Sequence, residues 1–168
     1  MVSACAAGTQ GSIDAGDSSL SRDEVALFAS AFQGAGDGTP QTVLSGSNLR
    51  LVATAYLRSQ AFGDYFEAEG IAEPAGLRES VEQQVSDAST AGQLGRLEFG
   101  SAEFEAFVDL FFFEEFLAQT GVGTLDPLAD DAEDFPEQAA ILAEFSEGFS
   151  VEPRIGRWDD ETFIVVPS

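Results

Sequence analysis

Residues 102–119 read AEFEAFVDLFFFEEFLAQ, and this stretch decides the fold. It predicts one helix, but apolar side chains spaced at about 100° per residue leave that helix no polar side. Full burial would be costly, because acidic residues are scattered around it. We therefore expect it either to run through the middle of a helical bundle or to keep one aromatic face open to a partner. The large apolar residues are Phe104, Phe107, Val108, Leu110, Phe111, Phe112, Phe113, Phe116 and Leu117, and the acids include Glu105, Asp109, Glu114 and Glu115.

Four further helices are predicted around this one. Ser21 and Glu24 form the pattern of a capping box, so a helix follows them. A second helix runs from about Asn48 to Glu69 and ends at the capping glycine Gly70. Pro74 opens a third helix at a first-turn position, where a proline is tolerated, and a fifth helix begins near Pro136.

Short strands are predicted at both ends of the domain. Residues 11–20 read as a strand and turn, and residues 149–166 read as two strands around a turn. A lone hairpin is marginal in water and gains from a third strand, so we expect the terminal strands to pair in one small sheet. The predicted fold is mainly α, with about five helices and a small β-sheet formed by N- and C-terminal strands.

The charge balance excludes several classes of partner. The chain has 30 acidic residues against 7 basic ones, a net charge of −23, and no lysine. Binding to nucleic acid or to anionic lipid headgroups needs cations that neutralise phosphates, so neither is expected. We interpret the acids as a solvated shell that keeps the protein soluble.

The missing residue types exclude most catalytic sites. Without histidine the chain can build no Ser-His-Asp or Cys-His arrangement and no histidine-based zinc or haem site. Without lysine it can form no Schiff base. An acidic loop after Gly121 lacks the spacing of a calcium loop. We therefore expect no cofactor, no metal and no catalytic residue; the loop's acids are Asp126, Asp130, Asp131, Glu133 and Asp134.

The single cysteine, Cys5, lies in the string Val2-Ser3-Ala4-Cys5. A branched apolar residue and two small residues before a cysteine are typical of the site that bacteria acylate, and two or three acyl chains anchor a protein stably. We expect a lipid-anchored protein on the outer face of the cell membrane, with residues 1–11 as the signal end and tether. The basic and apolar regions of a signal peptide would then lie upstream of Met1. The alternative is an idle thiol in a tail.

The end of the chain, Val151-Glu152-Pro153-Arg154-Ile155-Gly156-Arg157-Trp158-Asp159, resembles the closing segment of actinobacterial lipoproteins related to the N-terminal domain of SurA. Those proteins carry Val-x-Pro-Arg-Tyr/Phe-Gly-x-Trp-Asp, so Ile155 replaces an aromatic residue. The tract from Leu49 to Ile71 is similar to the family's long second helix. The resemblance makes residues 12–168 a SurA N-terminal-like helical domain in which the closing segment is structural, with Trp158 packed on the helices and Arg154 or Arg157 paired with carboxylates. The structural residues are Pro153, Arg154, Gly156, Arg157, Trp158 and Asp159.

Larger relatives insert a parvulin-type prolyl isomerase domain before the closing segment, and this chain has no room for one. The resemblance and the aromatic helix together predict a non-enzymatic, chaperone-like module that binds apolar segments of unfolded or secreted polypeptides. Two alternatives stay open: an enzyme, either a vestigial prolyl isomerase or a carboxylate-based hydrolase, and a structural scaffold of the cell envelope. We expect two or more of six rings to line a surface groove: Phe104, Phe107, Phe111, Phe112, Phe113 and Phe116.

Overall fold

The structure is a computed structural model, and it describes residues 13–33, 46–92, 97–120 and 135–168. These residues contain five helices and five short strands, so the prediction of a mainly α fold with about five helices is confirmed. The helices are α1 (Arg22–Gln33), α2 (Gly46–Glu69), α3 (Leu77–Thr90), α4 (Ala102–Gln119) and α5 (Pro136–Phe145). The strands are β1 (Ile13–Ala15), β2 (Ser18–Leu20), β3 (Ser150–Val151), β4 (Arg157–Asp159) and β5 (Ile164–Val166).

The strands of the two chain ends do pair, but they form two sheets rather than one. In the first sheet the order is β2-β1-β3, all antiparallel, with Ile13 opposite both Leu20 and Val151. The second sheet is the antiparallel hairpin β4-β5. Residues 149–166 therefore hold three strands, where two were predicted. A turn separates β3 from β4, because the amides of Ile155 and Gly156 both donate to the Glu152 carbonyl, at 2.8 and 3.3 Å.

The helix in the middle of the domain is α2, and not the phenylalanine-rich α4. Residues 52–59 of α2 are all buried, which covers more than two turns and so every side of the helix. It contacts α1, α4, α5, β1 and β5. Small side chains at Ala53, Thr54, Ala55 and Ser59 let neighbours approach from all these directions. Helix α4 lies against α2 and α3, and its bulky rings fill the space between them.

Local sequence signals set the helix boundaries in most places. The capping box of α1 is confirmed, because the Glu24 carboxylate accepts from the Ser21 amide at 2.8 Å and the Glu24 amide donates to the Ser21 hydroxyl at 3.3 Å. The prediction for Pro74 is wrong. Helix α3 begins at Leu77, because Gly76 adopts a left-handed conformation with φ of 80° and so interrupts the helical path after Pro74.

The C-terminal hairpin is fixed to α2 by two buried hydrogen bonds. The Val165 amide donates to the Thr54 hydroxyl at 2.8 Å, and Arg58 Nε donates to the Phe163 carbonyl at 2.8 Å. Arg58 has no solvent-exposed surface. Phe163 has a φ of 53°, which is uncommon for a residue with a side chain. This left-handed conformation costs free energy, and the bond from Arg58 together with burial of the ring holds it in place.

The residues of the closing motif lie in and beside this hairpin. Trp158 is half-buried against the core and contacts the rings of Phe149 and Phe163, with centroids 5.8 and 6.4 Å apart. Pro153 lies in the turn before β4. The two arginines pair with carboxylates of the segment itself: Arg154 Nε lies 3.9 Å from Glu152, and Arg157 lies 3.1 Å from Asp159. Glu152 also pairs with Arg22 of α1, which ties the segment to the helices.

Gly156 lies where no side chain fits. A Cβ atom there would overlap the carbonyl oxygen of Val166 and would lie 2.8 Å from Cγ1 of Val165. We predict that Gly156→Ala lowers the free energy of unfolding by about 3 kcal/mol, because backbone rather than a flexible side chain has to move. Gly100→Ala is the matched control, since Gly100 has a φ of 74° but open space around it; strain alone costs about 1 kcal/mol there. Equal losses for the two variants in urea denaturation would contradict the close contact at Gly156.

Asp159 holds the turn of the hairpin. One of its oxygens accepts from the Thr162 amide at 3.1 Å, the Thr162 hydroxyl at 2.9 Å and the Glu161 amide at 3.3 Å. The bonds from Thr162, then that from Glu161 and the charge of Arg157, hold the pKa of Asp159 below its ordinary value. A carboxylate with a lowered folded pKa stabilises the protein above its unfolded pKa, about 3.9, and this contribution is lost as the pH falls through the folded pKa.

We therefore predict a pH-dependent difference between the protein and its Asp159→Asn variant. The variant should be less stable at neutral pH, and the difference in free energy of unfolding should shrink below about pH 4, where the wild-type carboxylate becomes protonated. Urea denaturation of both proteins between pH 3 and 7 measures this difference. A difference that does not change over the range would show that the charge of Asp159 is unimportant for the turn.

Candidate functional site

A groove of about 570 Å³ lies between α2, the start of α3 and α4. Its size is within the range of pockets that hold small ligands or a few side chains. Phenylalanine rings form its floor and charged side chains form its rim. The lining residues are Gln60, Gly63, Phe66, Glu67, Ile71, Glu73, Arg78, Asp109, Phe112, Phe113 and Phe116.

The end of α2 shapes one side of the groove. Gly70 has a φ of 64°, which lets its amide donate to the Glu67 carbonyl at 3.2 Å and the Ile71 amide donate to the Phe66 carbonyl at 3.0 Å. This pair of bonds is the Schellman motif, and it is commonly accompanied by an apolar contact of the two residues that correspond to Phe66 and Ile71. The motif therefore turns the chain so that Ile71, still 38% exposed, lies at the rim.

Four stacked or edge-packed rings form the floor. Phe66 and Phe116 lie face to face with centroids 3.8 Å apart, and Phe66 and Phe113 are stacked at 6.3 Å. Phe112 meets Phe113 and Phe116 edge-on, at 5.2 and 6.3 Å. Phe113 alone among the four is half-buried, and the other three are at most 5% exposed. The accessible apolar surface of the groove therefore comes mainly from Phe113 and Ile71.

Gly63 makes room for the Phe113 ring. A Cβ atom at position 63 would lie 3.1 Å from Cε2 of Phe113, closer than nearly all real contacts of this kind. A glycine in the interior of a helix costs about 1 kcal/mol relative to alanine. The close approach of the ring explains why α2 carries a glycine at this point.

The rim is negative. Arg78 is the one basic residue among the described residues that line the groove, and its charge is already paired. Arg78 donates to Asp109 at 2.7 Å and lies 3.8 Å from Glu105, with its guanidinium 5.1 Å from the centre of the Phe112 ring. The bond to Asp109 raises the pKa of Arg78. Glu67 and Glu73 are exposed, and neither forms an ion pair within the described residues.

Three of the six rings proposed from the sequence line the groove, and the other three do not. Phe104 and Phe107 have no exposed surface, so they belong to the core and cannot bind a peptide. Phe107 contacts Phe28 of α1, with centroids 5.7 Å apart. Phe111 is half-buried beside Phe107, outside the groove. The lining rings of the six are Phe112, Phe113 and Phe116.

The acids of α4 are accommodated without deep burial. Asp109 is exposed and Glu105 is half-exposed, and both pair with Arg78 of α3. Glu114 and Glu115 are of intermediate exposure. The helix can therefore be apolar around most of its circumference while the carboxylates of Glu105 and Asp109 reach the surface beside α3.

Two predictions from the sequence lie outside the described residues: the lipid anchor at Cys5 with its tether, and the acidic loop after Gly121, which was not expected to bind calcium. Within the part of the chain that the structure describes, no three side chains of metal-binding type lie close enough to hold an ion. None of the described helices combines the length and the apolar character needed to span a membrane.

Sequence reasoning missed the side of the groove formed by α2. Nothing in the pattern of that helix indicated that Gly63, Phe66, Glu67 and Ile71 line a groove. One signal was available, because a glycine exit such as Glu69-Gly70-Ile71 predicts an apolar contact between the residue after the glycine and the last turn of the helix.

No protein-family model, no curated protein and no solved structure matches this chain.

Proposed function

We propose that this protein is a chaperone-like module that binds apolar segments of unfolded or secreted polypeptides in the groove between α2, α3 and α4. The observation that supports this most is the partly exposed Phe113, next to Ile71, above a floor of packed rings. An apolar side chain that lies on Phe113 and Ile71 loses contact with water, which is favourable by about 25 cal/mol per Å² of apolar surface.

The geometry favours weak and unselective binding. The floor offers aromatic faces and edges, which attract apolar groups without demanding one orientation, so many sequences could be accepted. Gln60 and the charged rim residues supply the few polar groups beside it. The acidic surface of the whole chain, with a net charge of −23, keeps a protein with exposed apolar side chains in solution.

The proposal includes no catalysis. The chain has no histidine, the most common general base, and the proposal gives the carboxylates of the groove no catalytic role. Attachment to the outer face of the cell membrane through Cys5 is a separate proposal. It rests on the string Val2-Ser3-Ala4-Cys5 alone and would place the groove where secreted polypeptides emerge.

We predict that Phe113→Ala weakens the binding of a labelled apolar peptide about tenfold, because the ring supplies most of the accessible aromatic surface of the groove. The same variant should lose the ability to suppress aggregation of an unfolded client. Its own stability should fall by about 2 kcal/mol, less than for a fully buried ring. Fluorescence anisotropy and light scattering measure the two activities, and urea denaturation measures the stability.

The matched control is Phe99→Ala. Phe99 is 65% exposed and contacts Phe104, but it lies outside the groove, so peptide binding should stay within twofold of the wild-type value. Equal losses for both variants would show unspecific contact with any exposed ring. Absence of peptide binding by the wild-type protein would favour the envelope scaffold, and prolyl isomerase activity above background would favour the enzyme.

A further inference from the structure

The carboxylates beside Phe113 and Ile71 indicate which apolar segments the groove accepts. Glu67 and Glu73 are both exposed on its rim, and Asp109, the third acid, is already bonded to Arg78. The lining therefore carries three acids and one arginine, and neither glutamate forms an ion pair among the described residues. Arg78 is bonded to Asp109, and the charge of Glu73 acts on it without a direct pair. An apolar ligand that carries a positive charge would supply the missing partner.

The end of α2 adds to the negative potential at this place. Carbonyl groups at the C-terminal end of a helix carry a partial negative charge, which cations stabilise and carboxylates make worse. The last turn of α2 contains Glu67 and Glu69 and no basic residue. The charge of Glu67 also acts on Asp64, one turn earlier, whose pKa is raised first by partial burial and then by the charges of Glu67 and Asp17. Acids at the C-terminal end of α2 destabilise the folded protein unless a cation binds there.

We propose that the groove selects polypeptide segments in which an arginine or lysine lies beside one or two apolar side chains. The apolar side chains lie on Phe113 and Ile71, and the cation contacts Glu67 and Glu73. This inference rests on the proposed function, and it adds a charge requirement to it. A volume of about 570 Å³ suits a few side chains of an extended segment rather than a folded partner.

The arrangement separates two contributions to binding. Burial on the rings is independent of salt, whereas exposed ion pairs are weakened once the Debye length falls to about 8 Å at 0.15 M ionic strength. The total charge of −23 attracts any cationic peptide at long range, so affinity for cations alone is not evidence for the site. A test has to compare a local loss of charge with an equal loss elsewhere.

The test uses three labelled peptides with the same apolar residues and with two arginines, two glutamines or two glutamates. We expect the arginine peptide to bind about fivefold more tightly than the glutamine peptide at 0.15 M salt, and the glutamate peptide to bind least well. The double variant Glu67→Gln/Glu73→Gln should lose this preference and should bind the glutamine peptide as the wild-type protein does. Both positions are exposed, so the double variant should fold as the wild-type protein does. Circular dichroism during urea denaturation verifies this.

The matched control is Glu144→Gln/Glu147→Gln. Both residues are exposed near the C-terminal end of α5, in a depression formed by the end of α5 and the hairpin, away from the groove. Each double variant removes two negative charges, so the net charge changes from −23 to −21 in both. The control should keep the preference for arginine within twofold.

The outcomes separate this inference from the proposed function. Equal losses in the two double variants would overturn the inference, because the total charge would then explain the preference. Equal binding of all three peptides by the wild-type protein would also overturn it, while leaving apolar binding in place. If none of the peptides binds, or if Phe113→Ala leaves binding unchanged, the proposed function and the inference both fail.

Discussion

The fold depends on a positive charge that α2 buries completely. Arg58 lies in the middle of the central helix, and a guanidinium without contact to water needs hydrogen-bond acceptors from the protein. The Phe163 carbonyl is one such acceptor, and Phe163 has its left-handed conformation in the hairpin turn where this bond forms. The hairpin therefore does more than cover the core: it supplies a hydrogen-bond acceptor that lowers the free-energy cost of burying Arg58.

The hairpin in turn depends on the residues of the closing motif, each for its own physical reason. Gly156 leaves space for the carbonyl oxygen of Val166, Asp159 accepts the amides of the turn, and Trp158 fills the space between Phe149 and Phe163. With its middle fixed in this way, α2 presents its last two turns to α4, where Phe66 stacks on Phe116. The groove is therefore built on a helix that is held in place from both sides.

The local features of this fold could be predicted from the sequence, but few of its long-range features could. The capping box at Ser21 and Glu24, the span of α4 and the proline at the beginning of α5 follow from nearby residues, and the structure has all three. The division of the last segment into β3 and β4 does not, because it depends on two amides that converge on one carbonyl, that of Glu152. Aromatic content favoured α4 as the central helix, but small side chains allow closer packing than rings do.

The sequence predicted a groove lined by some of the six rings, but it could not identify which ones, for a similar reason. Because phenylalanines lie on every side of α4, its sequence does not show which rings face another helix and which face water. The residues of the neighbouring helices determine this. Phe113 lies at the surface because Gly63, on a different helix, accepts its ring at close contact, while Phe107 is covered by Phe28. The sequence predicted the six rings only as a group. Which of them belong to the core and which line the groove depends on how α4 packs against α2.

The most direct test of the account is nuclear magnetic resonance of isoleucine methyl groups during titration with an apolar, arginine-containing peptide. The chain has five isoleucines, at positions 13, 71, 141, 155 and 164, and Ile71 is the one that lines the groove. If the peptide binds in the groove, the Ile71 methyl signal shifts with peptide concentration until it saturates, while the other four signals stay in place. An unshifted Ile71 signal, or shifts of similar size at all five positions, would contradict it.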